Sequence, residues 1–368
     1  NMESWMWCFL LSSHFLILSF SPSHSLCHPH DSFALLHFKN SFTIYEDPYY
    51  DYSYYCGHGN SKTTTTWENG TDCCSWHGVT CHPISGHVTE LDLTCSGLQG
   101  KIHPNSTLFH LSHLHSLNLA FNDFYHSHLS SLFGGFVSLT HLNFSYSNFE
   151  GEIPSHISHL SKLVSLDLSG NYWLKWKEDT WKRLLQNATV LRVLVLDGTN
   201  MSSISIRTLN LSSSLVTLRL RENELRGKLT DGILCLPNLQ HLSLSTNSWE
   251  LQGQQLPEMS CSTTSLSFLD LSGCGFLGSI PPSFSNLTHL TFLDLSFNHL
   301  NGSIPPSFSN LTHLTSLDLS GNHLNGSIPP SFSNLTHLTS LYLSYNNLNG
   351  SIPPSFSNLT HLTSLHLS

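Results

Sequence analysis

Apolar and polar residues alternate in short bursts along this chain, and the bursts recur at a fixed interval. Leu293-Asp294-Leu295 is one of them: two leucines flank a carboxylate, the period-two spacing of a strand with one face buried. In the longer pattern L-x-x-L-x-L-x-x-N the middle leucine stands at Leu91, Leu117, Leu142, Leu166, Leu194, Leu218, Leu242, Leu269, Leu293, Leu317, Leu341 and Leu365, twelve units in all. Most are 24 residues apart; stretches of 28 between Leu166 and Leu194 and of 27 between Leu242 and Leu269 mark insertions. Toward the C-terminal end the copies are nearly identical, with G-S-I-P-P-S-F-S-N-L-T-H-L-T beginning at Gly278, Gly302, Gly326 and Gly350. Such a period predicts a solenoid, because no single unit can bury its apolar face alone and each must stack on its neighbours. Solenoids of this kind offer an extended surface for binding and not a catalytic pocket.

Each unit reads as one coil. The paired leucines point inward, the residue between them points out, and strands of successive coils pair in parallel. Five residues after the middle leucine comes Asn122, Asn171, Asn223, Asn247, Asn298, Asn322 or Asn346, placed to turn the chain and to satisfy buried backbone groups of adjoining coils. Ser147, Thr199 and Cys274 replace it, so their coils are expected to be less regular. Phe284, Phe308, Phe332 and Phe356, with Leu108 and Ile157 in matching places, fill the opposite side of the core. Ahead of the repeats, Asp31 to Phe42 has the apolar spacing of an amphipathic helix, and Trp67 to Cys81 reads W-E-N-G-T-D-C-C-S-W-H-G-V-T-C.

The L-x-G-x-I-P turns from Leu277 to Pro281, Leu300 to Pro305, Leu324 to Pro329 and Leu348 to Pro353, with a degenerate version from Phe149 to Pro154, carry a resemblance. Over roughly residues 88–368 the chain resembles the plant-type leucine-rich repeat, and its N-terminal segment looks like the cap of plant leucine-rich-repeat receptor-like proteins and receptor kinases. The resemblance implies an α/β solenoid: a right-handed superhelix of about twelve 24-residue coils, a second short strand from each Ile-Pro segment, and a disulfide-bonded N-terminal cap at 26–87 that covers the first coil's apolar end. It also implies the pairs Cys27–Cys73 and Cys74–Cys81; a zinc site is the rival reading of that cluster, although adjacent cysteines lack the usual ligand spacing. Cys235 and Cys261 lie one coil apart and suit a further bridge, Cys274 reads as a buried free thiol, and Cys56 and Cys95 stay unassigned.

The apolar run from Phe9 to Phe20 is too short to span a bilayer and predicts a signal peptide over 1–25, with no Lys or Arg ahead of it. Asn1 ahead of Met2 reads as one codon upstream of the start, and a chain that stops inside its twelfth unit is expected to continue past Ser368, where an anchor would lie. Secretion is supported by thirteen N-x-S/T sequons, at Asn69, Asn105, Asn143, Asn187, Asn200, Asn210, Asn286, Asn301, Asn310, Asn325, Asn334, Asn349 and Asn358. Several are by-products of the repeat, and Asn143 and Asn210 are expected to be buried or blocked.

Composition excludes more than it assigns. Only 10% of residues are charged, the formal net charge is −10, and no phosphate loop, kinase signature or nucleophile elbow occurs, so no enzyme, cofactor, metal or nucleic-acid partner is expected. The 26 histidines outnumber the 24 carboxylates; those at His289, His313, His337 and His361 recur with the repeat and form a column. Acidification is expected to make that surface cationic. Asp167, Asp294 and Asp318 take the outward strand position, either as an acidic stripe for a cationic ligand or simply as repeat consensus. Phe121, Tyr146, Asp197, Arg219, Arg221, Glu222, Phe297, Tyr342 and Tyr345 break the consensus on the expected concave face and are the candidate ligand contacts, with Arg219 and Arg221 close enough to clamp one carboxylate or phosphate. An irregular insertion at 172–190 holds Trp173, Trp176 and Trp181, either facing a ligand or covering a widened core, and an acidic, tyrosine-rich segment runs from Tyr45 to Tyr55.

The resemblance therefore implies an ectodomain that binds an extracellular peptide, protein or glycan on its concave face and signals through partner receptor kinases in defence or development. The alternatives are a secreted inhibitor similar to polygalacturonase-inhibiting proteins and a non-functional gene fragment.

Overall fold

The computed structural model describes residues 26–44, 56, 63–208, 211–247, 253–262 and 264–368. The expected signal peptide at 1–25, the Tyr45 to Tyr55 segment and Asn210 lie outside the described residues. Among those described, the dominant sheet has thirteen strands that follow one another in chain order. Its first strand, Val79–Cys81, runs antiparallel to Val88–Asp92. The others are parallel and paired leucine to leucine, from Leu91 against Leu117 to Leu341 against Leu365. Burial fixes this register. From Leu91 to Leu343 the inward residues of every strand are at most 1% exposed, and a slip of one residue would turn all of them to water.

The ladder asparagines are what let the polar backbone stack inside. Asn298 donates through Nδ2 to the Leu271 carbonyl of the preceding coil and the Leu295 carbonyl of its own, both at 3.0 Å, while its Oδ1 accepts from the Cys274 and Phe276 amides. Substitution does not break the ladder. Ser147 Oγ reaches the Leu119 carbonyl at 2.8 Å and Cys274 Sγ the Leu244 carbonyl at 3.1 Å, so a short hydroxyl or thiol meets the same kind of acceptor and these coils are not the irregular ones expected. At Thr199 the geometry reverses, with Asn223 of the next coil donating to both its carbonyl and its Oγ1.

Opposite the large sheet, Leu277–Ser279, His299–Ser303, His323–Gly326 and Asn347–Leu348 form a four-stranded parallel sheet. Ser127–His128, Phe149–Glu152 and Trp173–Lys175 form a three-stranded one earlier in the chain. Between these sheets the coils close through short 3-10 turns whose Phe284, Phe308 and Phe332 are fully buried. The 172–190 insertion is not irregular. It contributes Trp173–Lys175 and then the helix Glu178–Asn187, which buries Trp181, Leu184 and Leu185. Trp176 packs edge-on against Trp181 at 5.5 Å, whereas Trp173 is 71% exposed.

The N-terminal cap is built on the helix Pro29–Lys39, with Pro at its first position and Ala34, Leu35 and Phe38 buried. Trp67 and Trp76 stack at 5.4 Å beneath it. Disulfides join Cys27 to Cys73 and Cys74 to Cys81, which leaves no thiolates there for zinc. Two more join Cys56 to Cys95, tying the cap to the first coil, and Cys235 to Cys261; Cys274 is free and buried.

Candidate ligand-binding face

The outward residues of the large sheet fall into columns, because every strand pairs in the same register. Asp270, Asp294 and Asp318 are successive partners in one column, continued by Tyr342 and His366. Each aspartate first serves its own turn: the Ser296 amide donates to Asp294 Oδ1 at 2.8 Å, and Ser320 donates to Asp318 with both amide and hydroxyl. Burial pushes the Asp294 carboxyl up to about 6, helped by repulsion from Asp318 and Asp270 and opposed by the Ser296 hydrogen bonds. Burial likewise raises Asp167, against the pull of Ser169.

Two coils earlier the column turns basic. Arg219 donates to Asp197 Oδ2 at 2.5 Å, and the second oxygen of Asp197 accepts the Arg221 amide at 3.0 Å. Arg221 in turn donates from Nε to Ser245 Oγ at 2.8 Å. Both guanidinium groups are thus held in place by partners on the sheet. They line a shallow cleft of about 230 Å³ with His241, Leu242, Ser243, Phe268 and Asp270. Its other wall is His241 stacked on Phe268 at 4.9 Å, and beyond the cleft the stack continues from Phe268 to Phe292 at 4.3 Å with 4° between their planes. These three rings were not singled out in the sequence. The signal was there, since all three stand immediately before a middle leucine, but His241 joins the Phe268–Phe292 pair only when coils are aligned across the 27-residue spacing.

The remaining candidates form a separate column just past the strands. Phe121, Tyr146, Glu222, Phe297 and Tyr345 all have positive φ, between 51° and 56°, in the turn that swings the next residue inward. Side chains rarely accept this backbone, and glycine takes it at 170, 198, 273 and 321. The aromatic rings lie back over the following coil. Phe121 stacks on Tyr146 at 5.1 Å, and Tyr146 covers Gly170 so closely that a Cβ there would stand 2.4 Å from its ring. Phe297 and Tyr345 are 68% and 78% exposed. The structure therefore gathers Asp197, Arg219 and Arg221 at one cleft and leaves Phe121, Tyr146, Phe297, Tyr342 and Tyr345 spread along the solenoid.

Family models agree with this architecture: "Leucine rich repeat N-terminal domain" matches residues 28–82, "Leucine rich repeat" matches 138–160 and 264–324, and "Leucine Rich repeats (2 copies)" matches 312–354. The chain is 41% identical over 275 residues to Receptor-like protein Cf-9 of Solanum pimpinellifolium, which takes in 74% of this chain and 31% of that protein. It is 39% identical over 273 residues to Receptor-like protein 6 of Arabidopsis thaliana, 71% of this chain and 27% of that one. This is a leucine-rich-repeat chain of the plant receptor-like protein family. It spans less than a third of the length of these relatives. Among solved structures it is similar to the ectodomain of the Arabidopsis receptor kinase HAESA in complex with an IDA peptide hormone, with a TM-score of 0.63 and 27% identity, covering 92% of this chain and 53% of that one.

The proteins this chain is similar to are receptor-like proteins and a receptor kinase ectodomain. Of this chain's sequons, among the described residues, Asn143 alone stands on a strand of the large sheet, half-buried, with its Oδ1 held by the Ser145 amide. Asn301 and Asn325 lie on the opposite sheet, and Asn310, Asn334 and Asn358 on the exposed ends of 3-10 turns. No described helix is long and apolar enough to cross a membrane.

Proposed function

We propose that this chain is the extracellular ligand-recognition part of a receptor-like protein, and that a peptide or protein ligand with an exposed carboxylate docks on the large sheet at the Arg219–Arg221 cleft. The observation that carries this is the conjunction of two pre-positioned guanidinium groups with the His241–Phe268–Phe292 ring stack. Guanidinium forks suit a carboxylate, and aromatic rings are the usual apolar anchors beside it. The solved relative with a peptide hormone supports a peptide ligand. Glycans at the sequons outside the large sheet would leave this face open, and Cys27 through Cys261 would form their bridges in the secretory pathway. Signalling passes to partner receptor kinases in defence or development, the role that the family resemblance implies.

The test is binding of a peptide library with free or amidated C-termini to the secreted chain. Free-acid peptides should be retained, and Arg219→Glu with Arg221→Glu should weaken them about 10- to 100-fold, the loss of one or two charge-assisted hydrogen bonds. Equal retention by wild type and the double variant refutes the cleft as the site.

A further inference from the structure

The cap contains a ligand set that the recognition face does not use. His28 immediately precedes the helix Pro29–Lys39, Asp31 lies in its first turn, and His87 comes in from the segment leading to Val88–Asp92. Their ligating atoms all lie within 4.8 Å of one another. Asp31 is 5% exposed, and its Oδ2 accepts the Val88 amide at 2.8 Å and faces His87 Nδ1 at 3.2 Å. Its other oxygen stands 3.9 Å from His28 Nδ1, too far for a hydrogen bond. That nitrogen is buried and has no hydrogen-bond partner. A buried polar atom left unpaired is costly unless something satisfies it.

The backbone holds these groups together independently of their side chains. His28 donates its amide to the Gly86 carbonyl at 2.9 Å, which locks the helix start against the His87 segment. Gly86 has φ of 68°, and a Cβ on it would stand 2.1 Å from the Leu26 carbonyl oxygen, so glycine alone permits the approach. The two imidazoles stack at 4.0 Å and aim their Nδ1 atoms at the one carboxylate.

We propose that His28, Asp31 and His87 bind a divalent transition-metal ion of the zinc class and so pin the cap helix to the first coil. Two imidazole nitrogens and one carboxylate oxygen are the donors such ions prefer. Zinc bonds of about 2.0–2.1 Å at tetrahedral angles put ligand atoms about 3.3 Å apart. Here His87 Nδ1 stands 3.2 Å from Asp31 Oδ2 and His28 Nδ1 3.9 Å from Oδ1, so binding requires the two stacked rings to turn out of parallel until both Nδ1 lone pairs and one carboxylate oxygen converge at that spacing. His87 Nδ1 changes role on binding, from facing Asp31 across a hydrogen bond to donating its lone pair to the metal, with its proton on Nε2. The positive end of the helix dipole opposes a cation here, so the affinity is expected to be micromolar.

The experiment is Zn²⁺ titration of the disulfide-intact secreted chain by calorimetry, with thermal unfolding alongside. One site of micromolar affinity and a rise in Tm on the order of 2–4 °C are expected. His28→Gln should weaken that site at least tenfold, since it removes a ligand whose Nδ1 makes no hydrogen bond. A chain with His289, His313, His337 and His361 all changed to Gln should bind as wild type. Unchanged affinity in His28→Gln, loss of the site in the column variant, or no binding below about 100 μM overturns the proposal. Should His28→Gln misfold, Co²⁺ loading of the unaltered chain decides: two imidazoles with paramagnetically shifted resonances support the site, and none overturns it.

Discussion

Asp294 carries a tension at the scale of one side chain. Its carboxylate closes a turn through the Ser296 amide, yet the stacked strands desolvate it and set Asp270 and Asp318 in the same column. Its pKa in the folded chain, about 6, lies above the unfolded value of about 3.9, so the folded state binds this proton more tightly. The stability it contributes is complete below about pH 4 and is lost as pH rises through about 6. Asp294→Asn keeps the turn acceptor and removes the charge. The variant is expected to be more stable than wild type at pH 7.5, by on the order of 1–2 kcal/mol, with the advantage disappearing by pH 4.5. Thermal unfolding at the two pH values checks this, and a constant difference would contradict it. The asparagine ladder was legible in the sequence because a polar residue recurring at an inward phase has one job, to satisfy backbone. The Asp294 environment was not, since desolvation is set by strands 24 residues away on either side. The His241–Phe268–Phe292 stack was missed because His241 meets Phe268 only across the 27-residue spacing.

Among the elements, the cap and the 172–190 insertion show where periodicity guides and where it misleads. The pairs Cys27–Cys73 and Cys74–Cys81 were implied by resemblance and Cys235–Cys261 by spacing, but Cys56–Cys95 depends on where a segment with no repeat phase lies in space. In the insertion, Trp181, Leu184 and Leu185 already had helical spacing, with Glu178 and Asp179 suited to a first turn. The interruption of the 24-residue register hid that signal. Cap and coil cysteines should differ sharply in consequence. Cys74 bridges to Cys81, whereas burial pushes the Cys274 thiol up to about 12 and keeps it inert. Cys74→Ser should lower secreted yield well below that of Cys274→Ser, because losing a bridge in a small secreted domain costs about 2–5 kcal/mol. Secretion assays of the two variants side by side give the comparison, and equal yields would contradict it.

At the scale of the molecule, stability adds up from coil to coil, each contacting its immediate neighbours. The copies starting at Gly302 and Gly326 present the same buried leucines, the same ladder asparagine and the same Phe308 or Phe332 to the next coil. Deleting residues 302–325 joins Asn301 to Gly326 and regenerates the sequence that Asn301 and Gly302 had. The shortened chain should be secreted and should unfold within a few degrees of the parent, which calorimetry can verify. Its large-sheet face would nonetheless change, because Tyr342 would pair with Asp294 and stand one rung nearer the Arg219 cleft. Strands step by about 4.8 Å, so the span from Asp270 to Tyr342 would shrink from about 14 Å to about 10 Å. The chain thus works as a notched ruler: whole notches can be added or removed without disturbing the rest, and the reach between two contact points on a ligand is set in discrete increments.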